Sequence, residues 1–194
     1  MINKEVIHGF VDESLRILKE LDLLSLPHPN MPAEMVDRSK TPSNDWIPWK
    51  AVPSQVTNAD IQEIEAKIGL KLPEPYVVFL KYKHFYDLDN PKEITFFRHC
   101  IRDWKRELYN NYFDSWEPEE IIGKGYIPFG DFSDWGIICF NTNKRVNSNN
   151  DCEIVRIDHE LLYNNPVPKD RLYASFIDMI KDLSEEQKKN QQNA

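Results

Sequence analysis

Hydrophobic periodicity changes character twice along this chain, and the order of those changes restricts the fold more than any other feature. In residues 6–24 the apolar side chains Ile7, Phe10, Val11, Leu18 and Leu21 recur at helical spacing among charged ones, which predicts one amphipathic helix. A second helix is predicted where Thr57 and Asp60 form a capping-box pattern ahead of Ile61, Ile64 and Ile68, with Gly69 placed to end it. Pro73 and Pro75 fit the first turn of a third helix that carries Tyr76, Phe79 and Leu80. The pattern then shifts to β-branched and aromatic runs at residues 94–99, 126–129, 136–141 and 153–157. The turn at 130–135 makes the second and third of these an antiparallel hairpin, and an Asn-rich turn at 147–150 precedes the fourth. Between the first two runs, residues 101–109 carry Ile101, Trp104 and Leu108 at helical spacing. Leu172, Phe176, Met179, Ile180 and Leu183 return to helical spacing and close the chain. Helices, then clustered strands, then a helix predict an α+β fold: a single, mainly antiparallel sheet flanked by helices, with an N-terminal helical extension.

At 194 residues the chain has room for one sizeable core. Pro27, Pro29, Pro32 and Pro42 interrupt a polar stretch after the first helix, where neither helix nor sheet can propagate. This reads as a linker or a wrapping arm. The expected organisation is therefore an N-terminal helix and Pro-rich arm at 1–44, a main domain at 45–184 and a frayed polar tail at 185–194.

With 24 basic against 32 acidic residues the formal charge is -8, which argues against nucleic-acid backbones or anionic lipid as partners and favours a basic one. No run approaches the roughly 20 apolar residues of a membrane span, and the start lacks a secretory pattern, so a cytoplasmic location is expected. Cys100, Cys139 and Cys152 are an odd set without CxxC spacing and read as buried thiols.

A catalytic set does not emerge. His8, His28, His84, His99 and His159 show neither HxH nor HExxH spacing, so no metal site is assigned. Asp158-His159-Glu160 is the best acid/base candidate. Adjacent residues on a strand face opposite ways, however, and a strand end tied down by local hydrogen bonds is the better reading. Gly123-Lys124-Gly125 lacks Walker spacing and reads as a turn. Seven basic and five acidic residues lie between positions 76 and 109, a mixed solvated surface rather than a nucleic-acid groove. No catalytic residue, cofactor or metal ligand is assigned, and the chain is not expected to be an enzyme.

Charge is most uneven at residues 111–160, where ten acidic residues stand against Lys124, Lys144, Arg145 and Arg156. Asp114, Glu117, Glu119, Glu120, Asp131, Asp134, Asp158 and Glu160 interleave there with Trp116 and Trp135. Large aromatics can anchor an interface while carboxylates steer a basic partner. The candidate partner-binding residues are Glu117, Glu119, Glu120, Asp131, Asp134, Trp135, Asp158 and Glu160. An ordinary acidic surface with both tryptophans in the core is the competing reading.

Several of these motifs together resemble one family. Thr57-Asn58-Ala59-Asp60-Ile61, Glu65, Gly69, Leu72-Pro73-Glu74-Pro75-Tyr76 and Phe79-Leu80 are followed by Ile127-Pro128-Phe129-Gly130-Asp131-Phe132 and Trp135-Gly136. This succession resembles the SUKH superfamily (Smi/Knr proteins) over residues 46–183, with Asp158-His159-Glu160 similar to its post-strand motif. The resemblance implies helices packed on one antiparallel sheet. In bacteria it implies an immunity protein that binds a cognate polymorphic toxin, many such toxins being nucleases. It brings no shared catalytic residue. Fungal relatives act in signalling through protein contacts, so a regulatory or scaffold module without a toxin partner is the alternative. Ser133-Asp134-Trp135 departs from the glycine-rich turn common in the family and makes it bulkier and more acidic. Leu72, Pro73, Tyr76, Phe79 and Phe129 have the size and apolarity of core residues.

Overall fold

The computed structural model describes residues 4–27, 30–89, 92–146 and 149–192. His28, Pro29 and positions 147–148 of the Asn-rich turn lie outside these residues.

Helix α1 (Lys4–Glu20) turns Ile7, Phe10, Val11, Ser14 and Leu18 inward, one face at helical spacing, and stops before Leu21, which is exposed. The Pro-rich arm that follows wraps the body. Met31 and Met35 are buried in the main core, and Met35 is held by the amide of Lys50, which donates to its carbonyl at 2.8 Å. The arm's ends meet in a short antiparallel pair, β1 (Ser25–Leu26) with β2 (Ile47–Pro48). Near its end the chain reverses at Asn44 and Asp45, both left-handed (φ 49° and 68°), which suits short polar side chains that tolerate this region.

A second small pair joins β3 (Val52–Pro53) to β4 (Lys83–His84) around two helices. Helix α2 (Asn58–Ile68) starts on the predicted capping box, with Thr57 and Asp60 each accepting from the other's backbone, and ends at Gly69 (φ 71°). Helix α3 (Glu74–Leu80) begins after Pro73 and buries Tyr76, Phe79 and Leu80. Helix α4 is shorter than its pattern predicts. It occupies only Trp104–Tyr109 and runs into a widened turn, Asn110–Asp114, in which Ser115 donates to the Asn110 carbonyl at 2.8 Å.

The sheet is antiparallel throughout, in the order β5 (Ile94–Phe96), β6 (Tyr126–Phe132), β7 (Gly136–Arg145), β8 (Cys152–Asp158) and β9 (Lys169–Tyr173). The predicted hairpin is β6–β7, but β6 continues to Phe132, which shortens the turn to residues 133–135. The register shifts between Pro128 and Gly130. Gly130 is obligatory there, because a Cβ would lie 2.4 Å from the Thr95 carbonyl oxygen. Strand β9 was not expected. Leu172, assigned above to the closing helix, lies in this edge strand, whose Lys169-Asp170-Arg171 start shows no apolar alternation.

Helix α5 (Phe176–Gln192) starts where Asp151 places its carboxylate under the chain. That side chain is fully buried and accepts from the amides of Phe176 (2.9 Å), Ile177 (3.3 Å) and its own neighbour Cys152 (2.8 Å). Burial raises its pKa while the three amides oppose that rise. The segment read as a frayed tail continues this helix to Gln192. Gln187 is buried against α1 and donates to the Ser14 hydroxyl at 2.8 Å, and Gln191 donates to Glu13 at 2.5 Å.

The sheet has two unlike faces. One packs under α1, α2, α3 and α5 in the main core, where the rings of Tyr76, Phe79, Phe129, Phe140 and Phe176 meet with centroids 4.3 to 5.9 Å apart. The other carries a smaller cluster of Ile121, Tyr126, Ile137, Cys139, Val155, Ile157, Leu162 and Val167. Two irregular segments, 115–125 and 159–168, cover that cluster.

Candidate functional site

The groups that could support chemistry are mostly engaged inside the protein. Asp158 accepts from the Glu160 amide at 2.9 Å and so caps the short turn His159–Leu161, while the His159 ring lies against Trp116 at 5.4 Å. This carboxylate is turned to the backbone and does not orient the imidazole. His84 and His99 are both buried. His84 donates Nδ1–H to the His99 carbonyl at 3.0 Å and accepts at Nε2 from the Gln55 amide at 3.0 Å, which defines a neutral ring. His99 donates to the Leu80 carbonyl at 2.7 Å, and burial pulls its pKa down to about 3.

All three cysteines are buried thiols. Burial pushes Cys100 and Cys152 up to about 11 and Cys139 well above its ordinary value, away from nucleophilic character. Among the described residues no group of three or more His, Cys, Asp or Glu could hold a metal ion. Likewise, no helix is long and apolar enough to cross a membrane. Lys124 pairs with Glu120, and Gly125 (φ 84°) turns the chain into β6. Several basic residues of the middle segment are tied to carboxylates: Lys83 to Asp12, Arg102 to Glu34, and Lys105 to Asp60 and Glu63. They do not line a common groove for phosphates.

The acidic excess of residues 111–160 sorts into two kinds. Asp151 is the buried cap of α5, and Glu153, also buried, holds Asn141 at 3.0 Å and pairs with Lys144 and Arg171, each at 3.3 Å. These two support the fold. Glu117, Glu119, Asp134 and Glu160 are exposed, and Glu120, Asp131 and Asp158 are partly so.

The structure brings most of the predicted set to one end of the sheet. Gly136 and Asp158 are register partners on β7 and β8, and the His159 amide donates to the Trp135 carbonyl at 3.2 Å, so the hairpin turn sits beside the end of β8. The segment carrying Glu117 joins them through the Trp116–His159 contact and through Tyr163, whose hydroxyl donates to Glu117 at 3.2 Å. Asp131 lies one register step away, between Thr95 of β5 and Ile137 of β7. Its carboxylate makes no ion pair or hydrogen bond with any described residue, and burial raises its pKa. Glu119 projects from the same loop as Glu117 without a contact to the others.

Trp135 is 39% exposed, which decides against its placement in the core. Its ring is held from below. Gly136 has no Cβ to obstruct the Arg156 side chain, since one would lie 3.1 Å from Arg156 Cγ. The guanidinium therefore passes over the hairpin to stack 4.4 Å from Trp135 and 4.8 Å from Phe132. Asp170 on β9 neutralises it at 2.6 Å.

Two further members escaped the reading of the sequence. Tyr163 is 72% exposed and Leu161 38% exposed, both in the loop after β8. The only signal was an apolar Leu161-Leu162-Tyr163 run directly before Asn164-Asn165-Pro166, and its middle residue alone is buried. Exposed aromatic and apolar groups on a segment that also carries exposed carboxylates have the composition of an interface.

The sequence model of the SMI1 / KNR4 family (SUKH-1) matches residues 55–182. No curated protein matches the chain. The matched span begins after α1 and the arm, although both are packed into the main core.

Proposed function

The chain belongs to the SMI1 / KNR4 family (SUKH-1), and from that membership we propose that it is a non-catalytic protein-binding domain, an immunity protein that neutralises a cognate bacterial toxin in the cytoplasm by direct binding. The contact is the loop-covered end of the sheet. One observation carries this reading: at the end of the sheet where the His159 amide meets the Trp135 carbonyl, Trp135 is exposed next to Asp134, and the adjoining loop exposes Leu161 and Tyr163 together with Glu117 and Glu160, so aromatic and apolar groups stand among carboxylates. Such a surface suits a basic partner, a nuclease domain among others, whose own cationic groups approach substrate phosphates.

Co-expression with the toxin domain encoded beside this gene tests the proposal. Protection of the cells together with a stable complex on gel filtration is expected. Continued killing with no complex would remove the immunity reading.

A further inference from the structure

The tip of the β6–β7 hairpin holds an exposed aromatic ring under unusual control. Trp135 follows Ser133, which is left-handed (φ 52°), and Asp134, whose carboxylate is engaged by the Ser133 hydroxyl at 2.7 Å. One side of the indole is occupied by the Arg156 guanidinium, which lies over both Trp135 and Phe132, and Phe132 adds an edge contact at 5.9 Å. The ring is therefore set in place before any partner arrives, so little side-chain freedom remains to be lost on binding.

Its surroundings specify what can bind. An indole carries negative potential on both faces. Arg156 would repel a second cation, but Asp170 at 2.6 Å cancels that charge. Asp134 precedes the ring in sequence, Asp158 lies across the register from Gly136, and Glu160 follows one turn later. The field at the tip is thus negative, and the flat acceptor is already desolvated on its inner side. A purely apolar partner group would gain contact with the ring but would strip water from these carboxylates without replacing it.

We propose that Trp135 is the preorganised anchor for a cationic side chain of the partner protein, an arginine stacked on the outer face of the indole, with Asp134 and Glu160 positioned to accept its N–H groups. Arg156 acts through Trp135 as a positioning residue. This inference rests on the immunity reading, since it names the chemistry of the contact on that same face.

The test is a binding-kinetics measurement with the toxin domain encoded beside the gene, using the full chain and three variants. Trp135→Phe keeps a π-face and is expected to stay within about threefold of the parent affinity. Trp135→Leu keeps apolar bulk without a π-face and is expected to lose about tenfold, mainly through faster dissociation. Trp135→Ala should lose at least as much. Trp135→Phe and Trp135→Leu keep apolar bulk over Arg156 and Phe132 and should unfold within a few degrees of the parent, whereas Trp135→Ala uncovers both and should unfold somewhat earlier. If Leu binds as well as Phe, the contact is merely apolar and the cation proposal is wrong. If all three variants bind like the parent, Trp135 is not an anchor while the immunity reading survives. Absence of any complex with the parent chain overturns both.

Discussion

The two faces of the central sheet are made from the same five strands yet are finished differently. On one, helices α1, α2, α3 and α5 close over interlocked aromatic rings. On the other, the loops 115–125 and 159–168 lie over a thinner cluster around Ile137, Val155 and Ile157. Regular helices satisfy their own backbone groups and bury a continuous apolar stripe, so that side can be dry and rigid. Loops must leave backbone and polar side chains in water, and so they bring carboxylates and half-exposed aromatics to the surface. Stability is concentrated on the first face, and the proposed contact lies at the hairpin end of the sheet, next to the second.

Strand β8 offers a direct way to break this contrast, because Ile154 faces the helices and Ile157 faces the loops, and both are fully buried. The substitutions are chemically identical, so the difference measures how far each side can collapse around the lost atoms. Ile154→Ala should cost about 4 kcal/mol and Ile157→Ala about 2 kcal/mol in urea unfolding, within the range for such truncations. Equal losses would mean that the loop layer is as rigid as the helical one.

A smaller effect separates the faces by pH. His99 and His84 belong to the helix-covered side, where burial lowers both pKa values, that of His99 to about 3 against an ordinary 6.5. Above pH 6.5 both folded and unfolded chains hold neutral rings, and the burial costs nothing in protons. As pH falls from 6.5 towards 3 the unfolded chain takes up a proton at His99 that the folded one refuses, so stability declines by up to about 1.4 kcal/mol per pH unit from this ring, and His84 adds a decline of the same sign. Asp131 and Asp151 have raised values and contribute with the opposite sign nearer pH 4. Comparison with His99→Gln, which retains a donor for the Leu80 carbonyl, isolates the histidine. The variant should lose stability less steeply with acid between pH 6.5 and 4.5 in chemical denaturation. Parallel curves would show that His99 titrates normally.

The contrast also explains what could be read without coordinates. Local chemistry was legible: the Thr57/Asp60 box, the Gly69 stop and the β6–β7 hairpin each depend on residues close in sequence. The aromatic core followed from apolar spacing. Less visible were features set by distant partners. Gln187 looks like part of a polar tail until Ser14 is placed beside it, 173 residues away in sequence. Strand β9 is held by β8 and by pairs such as Asp170 with Arg156, not by an alternating pattern of its own. The charge excess pointed to one end of the sheet, where most of these carboxylates do lie, but counted Asp151 and Glu153, which are internal. Burial is a tertiary property, and a tally of carboxylates cannot distinguish a helix cap from a solvated rim. Trp135 was legible as an aromatic among acids, whereas its support by Arg156 depends on Gly136 opening a path across two strands.

The smallest effect on stability should accompany a clear effect on binding. Asp134 and Glu160 are exposed and pair with no cation among the described residues, whereas Asp131 is partly buried, and a lysine there would disturb the sheet as well as the charge. Asp134→Lys combined with Glu160→Lys changes the local charge by four units without touching either core. Unfolding free energy should stay within about 0.5 kcal/mol of the parent. Association with a basic toxin domain should slow at low ionic strength, and its dependence on salt should flatten, because long-range attraction acts on the encounter and is screened over about 10 Å at 0.1 M. Dissociation should quicken as well, because both carboxylates are proposed to accept from the bound arginine, whereas Trp135→Leu should quicken dissociation and leave the salt-dependent association rate unchanged. Stopped-flow association at several salt concentrations separates the two. An unchanged rate and salt slope would move the steering charges off this face even if Trp135 remains an anchor.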